Sequence, residues 1–328
     1  MPRADIHRIE PRAVTPGGRL VVSGSGFDVR PGRVPEVTLG GQAARVLRAS
    51  SRSVAIEVPA DTPGGEQPLA IEGLEGSTPL VSVGRAITTG VHQVDSPAID
   101  AEGRVYATLS GQRGQQTPVS VYRIGADGVR EAFVSGLGNA TSLAFGPDGH
   151  LYVSSRFEGT VSRIAADGEP TKFAENLGVA FGLAFTADGD LLVGDRSGTV
   201  HVVTPDGRHR PLAAIPPSVA AFHLAVDPGG DVIVAAPTLN SCDALYRITP
   251  DGVVTRWLEG FGRPQGLAFD RHGVLHVVDA LAGDSGIHRI TPDGARSLVV
   301  SGAGLIGVAF DPTDGSMVAC SDDTIYRI

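Results

Sequence analysis

The sequence predicts an all-β protein in which a small β-domain precedes a ring of six four-stranded units. Three observations support this fold class: 44 glycines and 23 prolines in 328 residues, a segment that recurs about every forty residues, and a front segment without that repeat. Many short strands joined by tight turns require such a number of turn residues. A chain of this length can hold one large β-domain and a smaller one.

The repeat is visible from about residue 95 onward. Residues 142–153 (SLAFGPDGHLYV) recur as 182–193 (GLAFTADGDLLV) and 266–277 (GLAFDRHGVLHV), and divergent copies start at His223 and Gly307. Each copy has four short stretches rich in β-branched, aliphatic and aromatic residues, separated by turns such as Pro-Asp-Gly. This pattern is typical of successive antiparallel strands, and a radial array of four-stranded units is a β-propeller. We predict its blades at 95–137, 138–177, 178–217, 218–261, 262–303 and 304–328.

The two ends of the repeat region predict how the ring closes. The last unit ends with Tyr326-Arg-Ile328, which completes only a third strand, whereas residues 85–90 (RAITTG) form an isolated strand just before the first blade. Pairing these two segments leaves no long unpaired edge. The predicted domains are therefore 1–84, the front β-domain, and 85–328, a six-bladed propeller.

The front segment resembles a known family nearly end to end. Residues 6–18 (IHRIEPRAVTPGG), 20–27 (LVVSGSGF), 37–41 (VTLGG) and 54–61 (VAIEVPAD) together are similar to IPT/TIG immunoglobulin-like domains. The resemblance implies a β-sandwich that serves as a spacer or an interaction module. Residues 24–27 (GSGF) do not indicate a nucleotide site, because the dinucleotide fingerprint needs a third glycine and a following helix.

The repeat itself resembles NHL-repeat propellers and the related SMP-30/gluconolactonase/LRE-like group over residues 85–328. That group includes lactone hydrolases with a divalent metal at the channel mouth, and the resemblance implies a first metal ligand at Asp95. The other aligned positions depart from the pattern and hold Thr141, Phe181, Phe222, Gln265 and Ile306. Phenylalanine cannot ligate a hard cation. We therefore predict that the family's metal site is dismantled, with Asp95 the one candidate ligand for calcium, zinc or manganese.

Composition excludes several classes of partner. The net charge of −9 argues against nucleic acid, because phosphate contacts need clustered cations. The N-terminus lacks the apolar core of a signal peptide, and no segment approaches the roughly 20 apolar residues of a membrane helix. The chain as it stands is thus expected to be cytoplasmic and not bound to membranes, an exported precursor being the open alternative.

Cys242 and Cys320, the two cysteines, have no spacing that indicates a disulfide framework or a zinc site.

Candidate site residues come from the turns at the expected channel mouth and from unusual repeat positions. His223 replaces a small residue at the start of an innermost strand, so it is expected near the mouth, either as a general base or as a space-filling histidine beside Phe222. Asp195 and Asp279 are expected to cap turns, and Arg156 and Glu158 to form a solvated ion pair. His201, His276 and His288 replace residues that other repeats hold on blade surfaces. The ligand-binding candidates are Asp95, Arg113, Gln115, Arg156, Glu158, His223 and Gln265.

These residues predict a non-catalytic protein that binds a small polar ligand or a peptide at the mouth of the propeller channel. The alternative is a gluconolactonase-like hydrolase of lactones or esters, with a relocated or degenerate divalent-metal site around Asp95 and with His223 as base. A third interpretation is a scaffold that binds proteins and leaves the channel empty. No motif indicates a nucleotide, a flavin or a serine-hydrolase elbow.

Overall fold

The computed structural model describes residues 4–74, 77–92, 95–281 and 283–328. These residues form strands, turns and irregular segments, and none of them lies in a helix. Accordingly, no apolar helix long enough to span a membrane is present in the described part of the chain. The all-β prediction is confirmed.

The N-terminal region is a sandwich of two sheets. One sheet has the order β1-β3-β7-β6, and the other contains β2-β9-β8-β4-β5. Leu20, Ile56 and Leu69 come from both sheets and are completely buried between them, so the alternating apolar residues of these strands form one core. The strands are β1 (Asp5–Glu10), β2 (Ala13–Val14), β3 (Arg19–Ser25), β4 (Val37–Leu39), β5 (Gln42–Ala43), β6 (Arg45–Ser50), β7 (Ser53–Glu57), β8 (Gly65–Ile71) and β9 (Leu80–Val83).

The remaining described strands form a β-propeller of antiparallel four-stranded units. The closing strand is β10 (Arg85–Thr89). The first three units contain β11 (Ala98–Ile99), β12 (Val105–Thr108), β13 (Val121–Ile124) and β14 (Arg130–Val134); β15 (Ala140–Phe145), β16 (Leu151–Ser155), β17 (Thr160–Ile164) and β18 (Pro170–Ala174); and β19 (Ala180–Phe185), β20 (Leu191–Asp195), β21 (Thr199–Val203) and β22 (His209–Ala214).

Three further units follow among the described residues. They contain β23 (His223–Val226), β24 (Val232–Ala235), β25 (Asp243–Ile248) and β26 (Val254–Phe261); β27 (Pro264–Phe269), β28 (Leu275–Asp279), β29 (Gly286–Ile290) and β30 (Arg296–Ser301); and β31 (Leu305–Phe310), β32 (Met317–Ser321) and β33 (Thr324–Arg327). The last unit gains its fourth strand from β10, which pairs antiparallel with β33. This is the closure that the sequence predicts.

Aromatic residues at equivalent positions pack one unit against the next. Tyr106 contacts Phe133 and Phe145 edge to face, with ring centroids 5.3 and 5.2 Å apart. In the fifth unit His276 stands at the tyrosine position and packs edge to face on Phe310, 4.9 Å away. His276 and His288 are 5% and 1% exposed. These blade-surface positions are therefore buried, and that of His276 is covered by the neighbouring unit.

The two regions share a continuous sheet. β2 runs parallel to β9 on one side and parallel to β30, the outermost strand of the fifth unit, on the other. The amide of Thr15 donates to the Ser301 carbonyl at 2.9 Å, and the amide of Arg19 donates to Ser301 Oγ at 2.8 Å. Gly18 lies so close to Ser301 that a Cβ would overlap its carbonyl. The sandwich is therefore joined to the rim of the propeller by main-chain hydrogen bonds.

Candidate functional site

The innermost strands β11, β15, β19, β23, β27 and β31 surround a central channel, and the site lies where these strands begin. The turns between the second and third strands of each unit lie on this face, together with the segments that cross from one unit to the next. Asp195 ties the two kinds of segment together: its carboxylate accepts the amide of Val179 at 2.8 Å and that of Ser197 at 3.0 Å. Asp279 holds a crossing segment, because its carboxylate accepts the amides of Gly262 and Arg263 at 3.0 and 2.7 Å. Asp195 thus caps its own turn, as predicted, and both aspartates hold the segment that crosses from the preceding unit.

A cavity of about 470 Å³ occupies this face, and we call it the mouth cavity. Its polar lining consists of three arginines, one glutamine and one aspartate, and its apolar lining of two phenylalanines and smaller side chains. The residues are Arg113, Arg156, Phe157, Val179, Phe181, Arg196, Ala220, Ala221, Gln265, Ile306 and Asp322. A concave, partly apolar pocket with a few convergent polar groups is the usual form of a small-molecule site.

Two of the arginines are held by hydrogen bonds to neutral groups. Arg156 Nη2 donates to Ser110 Oγ at 3.2 Å, and Arg196 Nη1 donates to the carbonyl of Ala220 at 3.5 Å. Burial lowers the pKa of Arg156, and the positive charge of Arg196 lowers it further. Among the described residues, no carboxylate forms an ion pair with Arg156, Arg196 or Arg113.

The floor of the mouth cavity is apolar. Phe181 is 3% exposed and lies one residue before Gly182 on β19, while Ile306 and Gln265 occupy the equivalent positions on β31 and β27. Gly182 packs directly against the backbone of β23, where a Cβ would overlap the Phe222 carbonyl. Phe181 therefore lines the mouth cavity from the start of β19 while packing into the buried cluster around Phe222.

A buried carboxylate–imidazole pair lies deeper in the channel. His223 Nδ1 is 2.6 Å from Asp95 Oδ1, which also accepts the amide of Ser96 at 2.6 Å. The two side chains are 3% and 6% exposed, and His223 Nε2 and Asp95 Oδ2 have no hydrogen-bond partner among the described residues. Both residues line a separate cavity of about 320 Å³, the channel cavity, which extends toward the last residues of the innermost strands.

The seven predicted site residues fall into three sets: three line the mouth cavity, two line the channel cavity and two line neither. Arg113, Arg156 and Gln265 line the mouth cavity, whereas Asp95 and His223 meet one layer below it and line the channel cavity. His223 is therefore deeper than the sequence suggested. It is hydrogen-bonded, as the space-filling interpretation required.

Gln115 and Glu158 line neither cavity. Gln115 Oε1 accepts the amide of Gln112, and Glu158 Oε2 accepts the Thr160 hydroxyl at 3.4 Å. The ion pair expected between Arg156 and Glu158 was wrong, because Arg156 turns inward to Ser110 while Glu158 stays on the exposed side of the turn.

Sequence reasoning missed Arg196, although a signal was available. Arg156 and Arg196 each follow the last residue of the second strand, β16 and β20, so they occupy the same repeat position in neighbouring units. Two arginines at one repeat position on adjacent units must lie side by side at the mouth. Asp322, in the corresponding turn of the last unit, completes the polar lining.

The residues around Asp95 do not fit the family's divalent metal. A hard cation such as calcium requires six to eight oxygen ligands. Asp95 has His223 beside it, and the described residues contain no group of three or more histidine, cysteine, aspartate or glutamate side chains that could hold a metal. The aligned positions Phe181 and Phe222 place aromatic rings where ligands would be needed. The donor set therefore does not match the metal-dependent lactonase site.

Comparison with known proteins shows the fold. No protein-family model matches the chain, and no curated protein matches it. Among solved structures, an auxiliary nutrient binding protein from Bacteroides thetaiotaomicron is similar, with a TM-score of 0.59, 14% identity and coverage of 99% of this chain and 97% of that chain. A putative gluconolactonase has a TM-score of 0.59, 18% identity and coverage of 74% and 90%. A streptogramin B lyase has a TM-score of 0.55, 14% identity and coverage of 74% and 96%. At such identities the similarity shows a β-propeller and nothing about its activity.

Proposed function

We propose that the protein binds a small molecule at the mouth of its propeller channel and does not transform it. The observation that carries this proposal is the mouth cavity, whose volume of about 470 Å³ suits a small organic ligand. Its polar groups, Arg156, Arg196 and Gln265, can donate hydrogen bonds, but the described lining contains no nucleophile beside a base. A binding role is also the named role of a protein with a similar fold, the auxiliary nutrient binding protein whose structure matches 99% of this chain.

The proposal is tested with a variant whose larger, uncharged side chain fills the mouth cavity. Ala220 lines the mouth cavity, whereas Ala187 is exposed on the turn between β19 and β20, away from the mouth. A metabolite library is screened by thermal shift, and hits are measured by calorimetry on the wild type, Ala220→Trp and Ala187→Trp. We expect Ala220→Trp to abolish binding and Ala187→Trp to leave it unchanged. Equal binding by both variants would place the ligand elsewhere and remove the proposal.

The second candidate is a hydrolase of lactones or esters, favoured by the Asp95–His223 pair. A histidine oriented by a carboxylate is the arrangement of a general base. The pair is almost fully buried and lines the channel cavity and not the mouth cavity, so substrate would have to enter from the other end of the channel. Hydrolysis of a lactone panel that is lost in His223→Gln, or a stoichiometric metal that disappears in Asp95→Ala, would favour this candidate. A metal-free protein inert toward the panel would remove it.

For the architecture, we propose an IPT/TIG-like immunoglobulin domain over residues 1–84 and a six-bladed NHL/SMP-30-like propeller over 85–328. The two-sheet sandwich with its shared core supports the first assignment. Six four-stranded units among the described residues, the last closed by β10, support the second. None of the described residues of the sandwich lines the mouth cavity, so its proposed role is that of a spacer or a contact surface for a second protein.

A further inference from the structure

The mouth cavity is positively charged in an acidic protein. Three arginines and one aspartate line it, which gives a local charge of 3 − 1 = +2, whereas the whole chain carries −9. Elsewhere in the propeller, arginines such as Arg104 and Arg163 are paired with aspartates at 2.6 and 2.8 Å. Among the described residues, the mouth arginines have no such partner. A cleft of one sign with apolar walls concentrates ligands of the opposite charge.

Arg156 and Arg196 carry the strongest argument. Both are partly buried, both are oriented by neutral oxygens, and the pKa of Arg156 is lowered by burial and by the neighbouring guanidinium. Two like charges held together without a counterion are unfavourable, and an oxyanion between them would relieve both the repulsion and the desolvation. Guanidinium groups match the planar geometry of a carboxylate, which they bind through two parallel hydrogen bonds.

The apolar part of the lining indicates that the anionic group belongs to a larger organic molecule. Phe181 and Ile306 form an apolar floor, and Phe157, with 52% of its surface exposed, stands at the rim. A volume of about 470 Å³ far exceeds an inorganic ion, whose occupancy would leave these apolar surfaces uncovered. The amide of Gln265 can serve a further neutral polar group of the ligand.

We propose that the mouth cavity selects small organic acids, with the carboxylate between Arg156 and Arg196 and the apolar body against Phe181 and Ile306. This inference rests on the proposed binding function and names its ligand class. It makes charge the main determinant of selectivity: a carboxylic acid binds, and its neutral amide, which has the same shape, binds poorly.

The experiment uses matched pairs of ligands and matched arginine variants of the full chain. The ligands are 3-phenylpropionate and hexanoate, their primary amides, and inorganic phosphate, titrated by calorimetry at constant ionic strength. The variants are Arg156→Gln, Arg196→Gln and the control Arg208→Gln, whose side chain is 87% exposed and paired with Asp206. We expect at least one carboxylate to bind at least tenfold more tightly than its amide and than phosphate. Each mouth variant should weaken the carboxylate about 10- to 100-fold, and Arg208→Gln should have no effect.

The outcomes separate this inference from the proposed function. If amides bind as well as carboxylates, and binding is lost in Ala220→Trp but not in the arginine variants, the mouth cavity is a binding site and the organic-acid inference is wrong. If inorganic phosphate binds as tightly as the carboxylates, the inference that the apolar lining contributes to binding is wrong. If no carboxylate binds, the inference is overturned, while a neutral hit from the library would still support a binding site. Melting temperatures no lower than wild type in both mouth variants would show that they fold.

Discussion

The buried pair between Asp95 and His223 should be a main contributor to the stability of the ring. It joins residues 128 positions apart in sequence, because Asp95 lies just before β11 in the first unit and His223 begins β23 in the fourth. Replacing His223 with alanine leaves a carboxylate that is 6% exposed and that has, among the described residues, only the amide of Ser96 as partner. Removing one partner of a buried charged pair lowers the free energy of unfolding by about 3–5 kcal/mol, because the other partner stays buried without compensation.

This loss translates into a measurable shift in melting temperature. Unfolding entropy of about 2.1 cal/mol/K per residue, applied to a propeller of about 240 residues, gives about 0.5 kcal/mol/K, or about 2 °C per kcal/mol. We therefore expect His223→Ala to melt about 6–10 °C below the wild type. Asp95→Asn keeps an oxygen for the imidazole and the amide of Ser96, so it should lose only about 1–2 kcal/mol.

The assay is urea unfolding followed by circular dichroism, run as a double-mutant cycle with Asp95→Ala, His223→Ala and the double variant. His272→Ala, at an exposed position on a propeller turn, is the matched control. The double variant should be less destabilised than the sum of the singles by about 1–3 kcal/mol. A loss below about 1 kcal/mol in His223→Ala, or a coupling energy near zero, would refute the argument that the pair holds the ring together.

Three further predictions concern the propeller core. Burial alone would raise the pKa of Asp311, but hydrogen bonds from Thr313 and Arg327 lower it below the usual value. Its contribution to stability is therefore complete above pH about 4 and is lost as pH falls through the lowered pKa, so Asp311→Asn should flatten the decline in urea midpoint between pH 5 and 3. Equal slopes would contradict this. Burial lowers the pKa of His276. The free energy of unfolding should therefore fall below pH about 6.5, as the unfolded state takes up the proton. His276→Tyr should remove that component from the pH profile of the melting temperature, and an unchanged profile would contradict this prediction. A Cβ at Gly194 would overlap the ring of the fully buried Phe222, so Gly194→Ala should cost about 1–3 kcal/mol in urea unfolding, and Phe222→Leu in the same chain should restore part of it. No rescue would show that the strain lies elsewhere.

The propeller was predictable because each unit repeats the same pattern of apolar strands and turns with different residues. The strand from Arg85 could be assigned to closure because the last unit lacked a partner for Thr324–Arg327. The parallel pairing of β2 with β30 could not be predicted, since a strand of two residues, Ala13–Val14, has no periodicity to recognise.

The candidate site was only partly predictable. Repeat alignment singled out His223 and Asp95, but their contact depends on where two distant units place their side chains across the channel. Reading each turn by itself suggested that Arg156 would pair with Glu158. Comparing the same position in neighbouring units would instead have paired Arg156 with Arg196, because side-by-side units place equivalent residues next to each other.

The shared sheet at β30 has a consequence for any attempt to separate the two regions. Cutting the chain before Arg85 would remove β2 and leave Val300 and Ser301, at one end of the outer edge of β30, without their main-chain partners. Exposed edges of this kind recruit strands from other molecules. The isolated propeller should therefore be more prone to self-association than the full chain, because the front region covers the Val300–Ser301 end of this edge.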